Sequence, residues 1–272
     1  MSLKIKDIVY RSGNGLYNED VYIVSERVVV VADGATPVRQ TPFGGYASYA
    51  MWFVNAFKSE FVSTYPTPSP MPEFIRKCVG QIRQEAPLQE LPVYDKPSFT
   101  VAVIENLQNS LHCSLLGDCC IYLFTRKRKV IRLYDDRIEK FSAVTLRKMQ
   151  SAKQQEKDVE AVVNEQKIEN INYRNKPDGF WVVGYEGEYD KEFLTADYRD
   201  SDIGTILLCS DGFERIFKEF GLLAPADILS EKVTLEEAFN MLRNYEALHQ
   251  NEADYPCVKA KDDVTALLLT VE

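Results

Sequence analysis

Residues 98–134 read SFTVAVIENLQNSLHCSLLGDCCIYLFTRKRKVIRLY. Four runs within this stretch, 98–105, 110–117, 119–125 and 129–134, are rich in β-branched and aromatic residues and read as strands. Their links are as short as Asn106 to Asn109 and Arg126-Lys127-Arg128. Links of this length join neighbours that run in opposite directions, so the stretch predicts a meander of antiparallel strands. Outward from it, strands are expected at 4–10, 20–25, 27–33, 179–185, 204–209 and 263–271. Helices are expected at 44–62, where Tyr46, Tyr49, Ala50, Phe53 and Phe57 follow a helical period, and at 71–86, 212–219 and 234–249. Tyr65 to Pro70, with three prolines, reads as a loop. Strands come early and late with helices grouped between them, which suits a helix–sheet–sheet–helix layering. From Arg137 to about Asn170 the chain turns polar, rich in Lys, Glu and Gln, and reads as exposed helices inserted between core strands.

The chain has 272 residues, 45% hydrophobic and 27% charged, enough for one large domain or two small ones. No apolar stretch approaches the roughly 20 residues of a membrane span. The N-terminal Met1 to Lys6 lacks the apolar core of a signal peptide, so a cytoplasmic location is expected. A net charge of −9 argues against nucleic acid as a partner. The six cysteines form no CxxC pair and mostly lie in apolar runs, as buried free thiols do. Two histidines, His112 and His249, exclude a His-rich metal site.

Short acidic motifs punctuate the apolar runs: Asn18-Glu19-Asp20, Ala32-Asp33-Gly34, Leu116-Gly117-Asp118, Cys209-Ser210-Asp211-Gly212 and Lys261-Asp262-Asp263. Val28 to Val31 lead into Asp33, and Ile206 to Leu208 lead into Asp211. Each carboxylate therefore stands where a sheet meets solvent, on the loops that usually carry function. Gathered on one rim they would form a cage of hard oxygens suited to Mg²⁺ or Mn²⁺. Taken singly, each is an ordinary turn or cap residue. Asp118 has a second, lesser reading as a hairpin turn, whereas Asp263 reads first as a polar strand start, and Asp135-Asp136 and Asp178-Gly179 as turns. No P-loop is present, and Gly13-Asn14-Gly15 lacks the third glycine of a dinucleotide loop.

The order of these motifs resembles the metal-dependent protein phosphatases, the type 2C or PPM group of serine/threonine phosphatases, and Arg174 to Trp181 is similar to a stretch in some bacterial members. The resemblance spans about residue 4 to residue 271. It implies an α+β fold: two antiparallel β-sheets packed as a sandwich, helices on both outer faces (four-layer αββα), and a helical flap over 137–176 within a single domain spanning 1–272. It implies an enzyme that hydrolyses phosphoserine and phosphothreonine on protein substrates with two Mg²⁺ or Mn²⁺ ions and, as in many bacterial members, a third. By resemblance Asp33 bridges two ions, the Gly34 carbonyl binds one, Asp211 and Asp262 bind the second, Glu19 and Asp20 hold metal waters, and Asp118 belongs to the third site. Two such ions lower the pKa of a shared water, and the hydroxide attacks phosphorus without a nucleophilic side chain. Two departures stand out. Gly15 occupies the position where many members carry a phosphate-gripping arginine, which leaves Arg11 as the nearby substitute. Ala35 stands where some members carry a histidine. The lost arginine also suggests an alternative, a degenerate member that binds a phosphoprotein partner with little turnover. A weaker third reading is a hydrolase of small phosphate esters.

Overall fold

The computed structural model describes residues 2–13, 16–35, 38, 41–66, 69–86 and 88–272. Two antiparallel sheets face each other. The first has the order β2 (Asp20–Val24), β3 (Val28–Gly34), β4 (Ser98–Leu107), β5 (Ser110–Leu116) and β9 (Leu194–Arg199), with the two-residue β8 (Val183–Gly184) also paired to β4. The second has the order β1 (Leu3–Arg11), β11 (Val264–Val271), β10 (Ile203–Cys209), β6 (Cys120–Thr125) and β7 (Val130–Leu133). The meander of 98–134 is thus real but split: β4 and β5 lie in one sheet and β6 and β7 in the other, so the Gly117-Asp118 turn crosses between them.

Strand alternation explains the layering. Val29 and Val31 point between the sheets and meet Leu208, Leu267 and Leu269, whereas Val28 and Val30 point outward onto α1 (Tyr49–Thr64) and α2 (Met71–Glu85). A strand covered on both faces must be apolar at every position, which is why Val28 to Val31 form an unbroken run. The second sheet does the same: Leu207 and Cys209 face α5 (Asp211–Glu214), α6 (Pro225–Leu229) and α7 (Leu235–His249). The architecture is the four-layer αββα sandwich. Phe53, Phe57 and Phe61, four residues apart on α1, are fully buried, and the first two stack on Phe99 at 5.2 and 4.7 Å. Each aromatic buried this way contributes on the order of 2–3 kcal/mol.

Some boundaries differ from the sequence reading. The helix expected from residue 44 starts at Tyr49, because Gly44 and Gly45 take φ of +58° and +83° and Ser48 caps the helix by accepting from Met51 N at 3.0 Å. The strand expected at 179–185 is reduced to Val183–Gly184. Neither β9 nor α6 was anticipated. β9 is an edge strand, LTADYR, whose half-exposed sequence carries no apolar run. Within 137–176 the chain forms two helices, α3 (Glu139–Gln154) and α4 (Val159–Ile171). The base of this helical hairpin is fixed by Arg174, which donates to the carbonyls of Val93 and Lys96 at 2.8 and 3.0 Å and to Ser98 Oγ at 3.2 Å.

Candidate active site

The acidic strand ends meet at one end of the sandwich. Asp20 on β2 pairs with Asp33 on β3, and Asp33 with Thr100 on β4. β5 stays paired with β4 as far as Leu116 opposite Val101, so the Gly117-Asp118 turn abuts Thr100. Gly117 has φ +82°, and a Cβ there would strike Thr100 Cγ2, so the turn requires glycine. Asp135 is more than a turn residue. It is buried, its Oδ2 accepts from Gly117 N at 3.2 Å, and Arg137 neutralises it at 2.6 Å. It thereby holds the loop that carries Asp118. In the other sheet Cys120 pairs with Cys209 and Cys209 with Ala266, so Asp118, Asp211 and Asp262 leave three adjacent strands at one end.

Hydrogen bonds tie the two sheets together there. Thr265 Oγ1 donates to Asp20 Oδ2 at 2.7 Å, and Thr265 N donates to Ser210 Oγ at 3.0 Å. Asp263 accepts from Gly13 N at 2.7 Å and from Glu19 N at 2.6 Å, so its carboxylate is spent on backbone amides. Ser48, the cap of α1, donates to Glu19 Oε1. A Cβ on Gly212 would collide with the Asp263 carbonyl, so α5 starts pressed against the entry to β11.

The electrostatics of the rim are uneven. Burial pushes the Asp33 carboxyl well above its ordinary pKa, and the charges of Asp20, Asp211 and Asp118 push it further. Burial and the Asp263 charge outweigh the Thr265 bond and raise Asp20 to about 8. Burial and Asp211 raise Asp118 to about 7. Asp262 goes the other way. Burial would raise it, but Lys259 Nζ at 2.6 Å and Arg215 Nη2 at 2.5 Å hold it below its ordinary value. Arg243 donates through Nη2 to the Asp262 carbonyl at 2.6 Å and pairs through Nη1 with the fully buried Glu246. Sequence reasoning missed Arg215, Arg243 and Lys259. Arg215 and Lys259 carry only the signal of a basic residue a few positions from an acidic motif, and Arg243, 19 residues from Asp262, carries none.

The donor set fits a divalent cation. It consists of hard oxygens, and Asp20 Oδ1 is buried without a hydrogen bond, an orphaned anionic oxygen. As the side chains stand, no three His, Cys, Asp or Glu groups among the described residues converge tightly enough to hold an ion. The spent oxygens account for this: Asp262 is turned onto two cations, Asp20 Oδ2 onto Thr265, and Asp263 onto amides.

Arg11 ends β1 opposite Val264, at the rim end of the strand, but its side chain is turned away from the carboxylates. It follows Val9 on the face of β1 that packs on α7, and its guanidinium pairs with Glu236 at 3.2 Å and stands over Phe239. Gly15 lies outside the described residues. His112 pairs with Asp197 between β5 and β9, and His249 with Glu252 after α7, so both histidines are engaged elsewhere. Two cavities, of about 230 and 600 Å³, open onto the rim and share Asp118, Asp211, Lys167 and Lys259. The helical hairpin forms one wall of each, through Lys167 and Asn170 of α4.

The chain is thus an αββα sandwich with carboxylates gathered on one rim and a helical hairpin beside them. The model of the protein phosphatase 2C family matches residues 11–254, and the chain belongs to that family. No curated protein matches the chain in sequence. In structure it is similar to the Mycobacterium tuberculosis serine/threonine phosphatase PstP/Ppp, with a TM-score of 0.58, 17% identity and all of both chains covered. It is also similar to Pseudomonas aeruginosa PppA, a regulatory component of T6SS, with a TM-score of 0.57, 20% identity, 100% of this chain and 99% of that one covered. A PstP catalytic domain in complex with two manganese ions matches with a TM-score of 0.56 and 17% identity over 99% and 98% of the two chains.

Proposed function

We propose that the chain is a metal-dependent protein serine/threonine phosphatase. The observation that carries this reading is that Asp20, Asp33, Asp118, Asp211 and Asp262 come from separate strand ends to one rim, a cluster of like charges that repels itself unless cations join it. The manganese complex of the related catalytic domain supports the same reading. Glu19, Asp20, Asp33, the Gly34 carbonyl, Asp118, Asp211 and Asp262 would hold Mg²⁺ or Mn²⁺. Such ions supply a water acidic enough to be deprotonated near neutral pH and neutralise charge on the phosphoryl oxygens. The chain's own part is positioning. Thr265 orients Asp20, Asp135 fixes the Asp118 turn, and the Arg215–Glu246–Arg243 network fixes Asp262. The substrate is a phosphorylated protein, which enters beside the helical hairpin of one phosphatase domain. Six unpaired buried cysteines, and no helix among the described residues able to cross a membrane, suit the cytoplasm.

Hydrolysis of p-nitrophenyl phosphate and of a phosphothreonine peptide, in Mn²⁺ and then in EDTA, tests this. Turnover that EDTA abolishes is expected; turnover indifferent to EDTA sinks the metal-dependent reading. The binding-module alternative draws on one specific observation, that Lys259 and Arg215 occupy the Asp262 carboxylate. It predicts calorimetric Mn²⁺ binding and phosphopeptide capture without turnover.

A further inference from the structure

Among the described residues seven cations line the cleft beside the acidic rim, and six of them are already engaged. Lys96 pairs with Glu186, Arg132 with Glu214, Lys218 with Glu139, and both Arg215 and Lys259 with Asp262. Arg174 spends its guanidinium on two carbonyls and the Ser98 hydroxyl. The seventh, Lys167, has no hydrogen bond or ion pair among the described residues. It is half-buried on α4. It lines both cavities, as do Lys259, Asp118 and Asp211, and Lys259 is near enough to act on its charge.

A half-buried ammonium without a partner is unusual, because the energetic penalty of removing a charge from water is normally offset by a counter-ion. Burial and the neighbouring Lys259 both work against the charged form of Lys167. An anion placed between the two lysines would relieve both effects. The rim itself offers none: the acids there lie within electrostatic range of Lys167, yet none contacts it. A monovalent anion would balance one lysine, whereas a phosphoryl dianion offers oxygens to both and still reaches the carboxylate cluster. Arg11, the substitute suggested by sequence for the missing phosphate-gripping arginine, is turned onto Glu236.

We propose that Lys167, carried on the helical hairpin, is the substrate-binding residue that grips the phosphoryl group, with Lys259 as its partner in the same cleft. This rests on the phosphatase reading for the identity of the substrate, but the anion site can be tested without turnover. Binding of inorganic phosphate is to be measured by calorimetry on the full chain in saturating Mg²⁺, for wild type, Lys167→Met, Lys167→Arg and the control Lys148→Met. Lys148 lies on α3 and pairs with Glu169. Lys167→Met keeps the length and apolar stem of the side chain, and its melting temperature reports whether it folds. Loss of one charged hydrogen bond to phosphate should weaken binding about 10- to 100-fold. Lys167→Arg should stay within about threefold of wild type and Lys148→Met should match it, since the charge at residue 167 is what matters. The proposal is overturned if Lys167→Met binds phosphate as wild type does, if Lys148→Met loses as much, or if folded wild type binds no phosphate. Turnover of p-nitrophenyl phosphate on the same preparations separates the two levels. Wild-type turnover with phosphate binding indifferent to Lys167→Met removes this residue and leaves the phosphatase standing. Phosphate binding through Lys167 without turnover removes the phosphatase and leaves the anion site.

Discussion

The two sides of the acidic rim follow opposite electrostatic plans. On the side of Asp20, Asp33 and Asp118, one buried carboxyl stands with two half-buried ones and no ion pair among the described residues, and all three are pushed toward the neutral form. On the side of Asp262 the carboxylate meets Lys259 and Arg215 and is held in the charged form. One side therefore stores repulsion that a metal would relieve, and the other carries its own counter-charge. The fold can keep both because they hang from different sheets, Asp33 on β3 and Asp262 at the entry to β11. A rim made wholly of the first kind would be held together only by metal, and one made wholly of the second would have no need of it.

The sharpest way to break this contrast is at Asp33, which couples to four other acids. Asp33→Asn should lower Mn²⁺-dependent turnover by about 10³-fold or more, as expected when a group stabilising the charge of the transition state is lost. The same change should raise the melting temperature of the metal-free protein, because it removes one of the repelling charges. Wild-type turnover, or a metal-free protein left less stable, would show that Asp33 is not the centre of the cluster.

On the Asp262 side the expected loss is of stability. Arg215 is 8% exposed and bonds to Asp262 while standing 3.5 Å from Glu246. Arg215→Met takes one of two cations from each of two buried acids, which keep Lys259 and Arg243, at a cost of about 1.5–3 kcal/mol, read as a lower denaturant midpoint. A midpoint within error of wild type would mean that the network is ornamental to folding.

A pH series sharpens the comparison further. Asp20 rises from its ordinary 3.8 to about 8, and Asp118 to about 7. Between those values the folded state holds protons that the unfolded chain has released, so stability falls as pH rises through that window. Metal-free protein should melt roughly 5–10 °C lower at pH 8 than at pH 5. Saturating Mg²⁺ should abolish or reverse the trend, since bound cations favour the charged carboxylates. A metal-free protein that gains stability over the same range would place the dominant titration on the paired side.

The sequence announces one of these sides and hides the other, for a physical reason. An acid at the end of an apolar strand breaks a visible pattern, so Asp33 after Val28 to Val31 and Asp211 after Ile206 to Leu208 can be found by inspection. The counter-charges are long side chains that reach their acids through the tertiary fold: Arg215 lies 47 residues from Asp262. Lys167 sits in a polar helix where it looks like any solvated lysine, and only the cavities reveal what it faces. β9 was invisible because an edge strand with one wet face needs no apolar run. The β1 alternation, by contrast, did contain a warning: Arg11 shares a face with Val9, and Val9 is buried against the α7 layer.

At Asp118 the two plans meet, because its charge couples to Asp211 while its loop is held by the Asp135–Arg137 pair. Asp118→Ala should reduce turnover about tenfold while calorimetry still finds the two tighter metals, as suits a site with few protein ligands. Asp135→Asn should act in the same direction but more weakly, by loosening the turn. Unchanged turnover and metal stoichiometry in Asp118→Ala would leave the residue a turn and nothing more.

The smallest effect is expected at Arg11, and it discriminates for that reason. Its ion pair with Glu236 is half-exposed on both sides, at 50% and 52%, so water and salt screen it. Arg11→Ala should change stability by less than about 0.5 kcal/mol. Its side chain is directed at α7 and away from the carboxylates, so the Michaelis constant for phosphate esters should also stay put. Reaching the rim would require the guanidinium to leave both Glu236 and Phe239 and cross to the other face of β1, which strand alternation forbids without a register change. A Michaelis constant raised severalfold by Arg11→Ala, with Glu236→Gln leaving it unaffected, would mean that the arginine does cross, and the phosphate grip would then belong to β1 rather than to the helical hairpin.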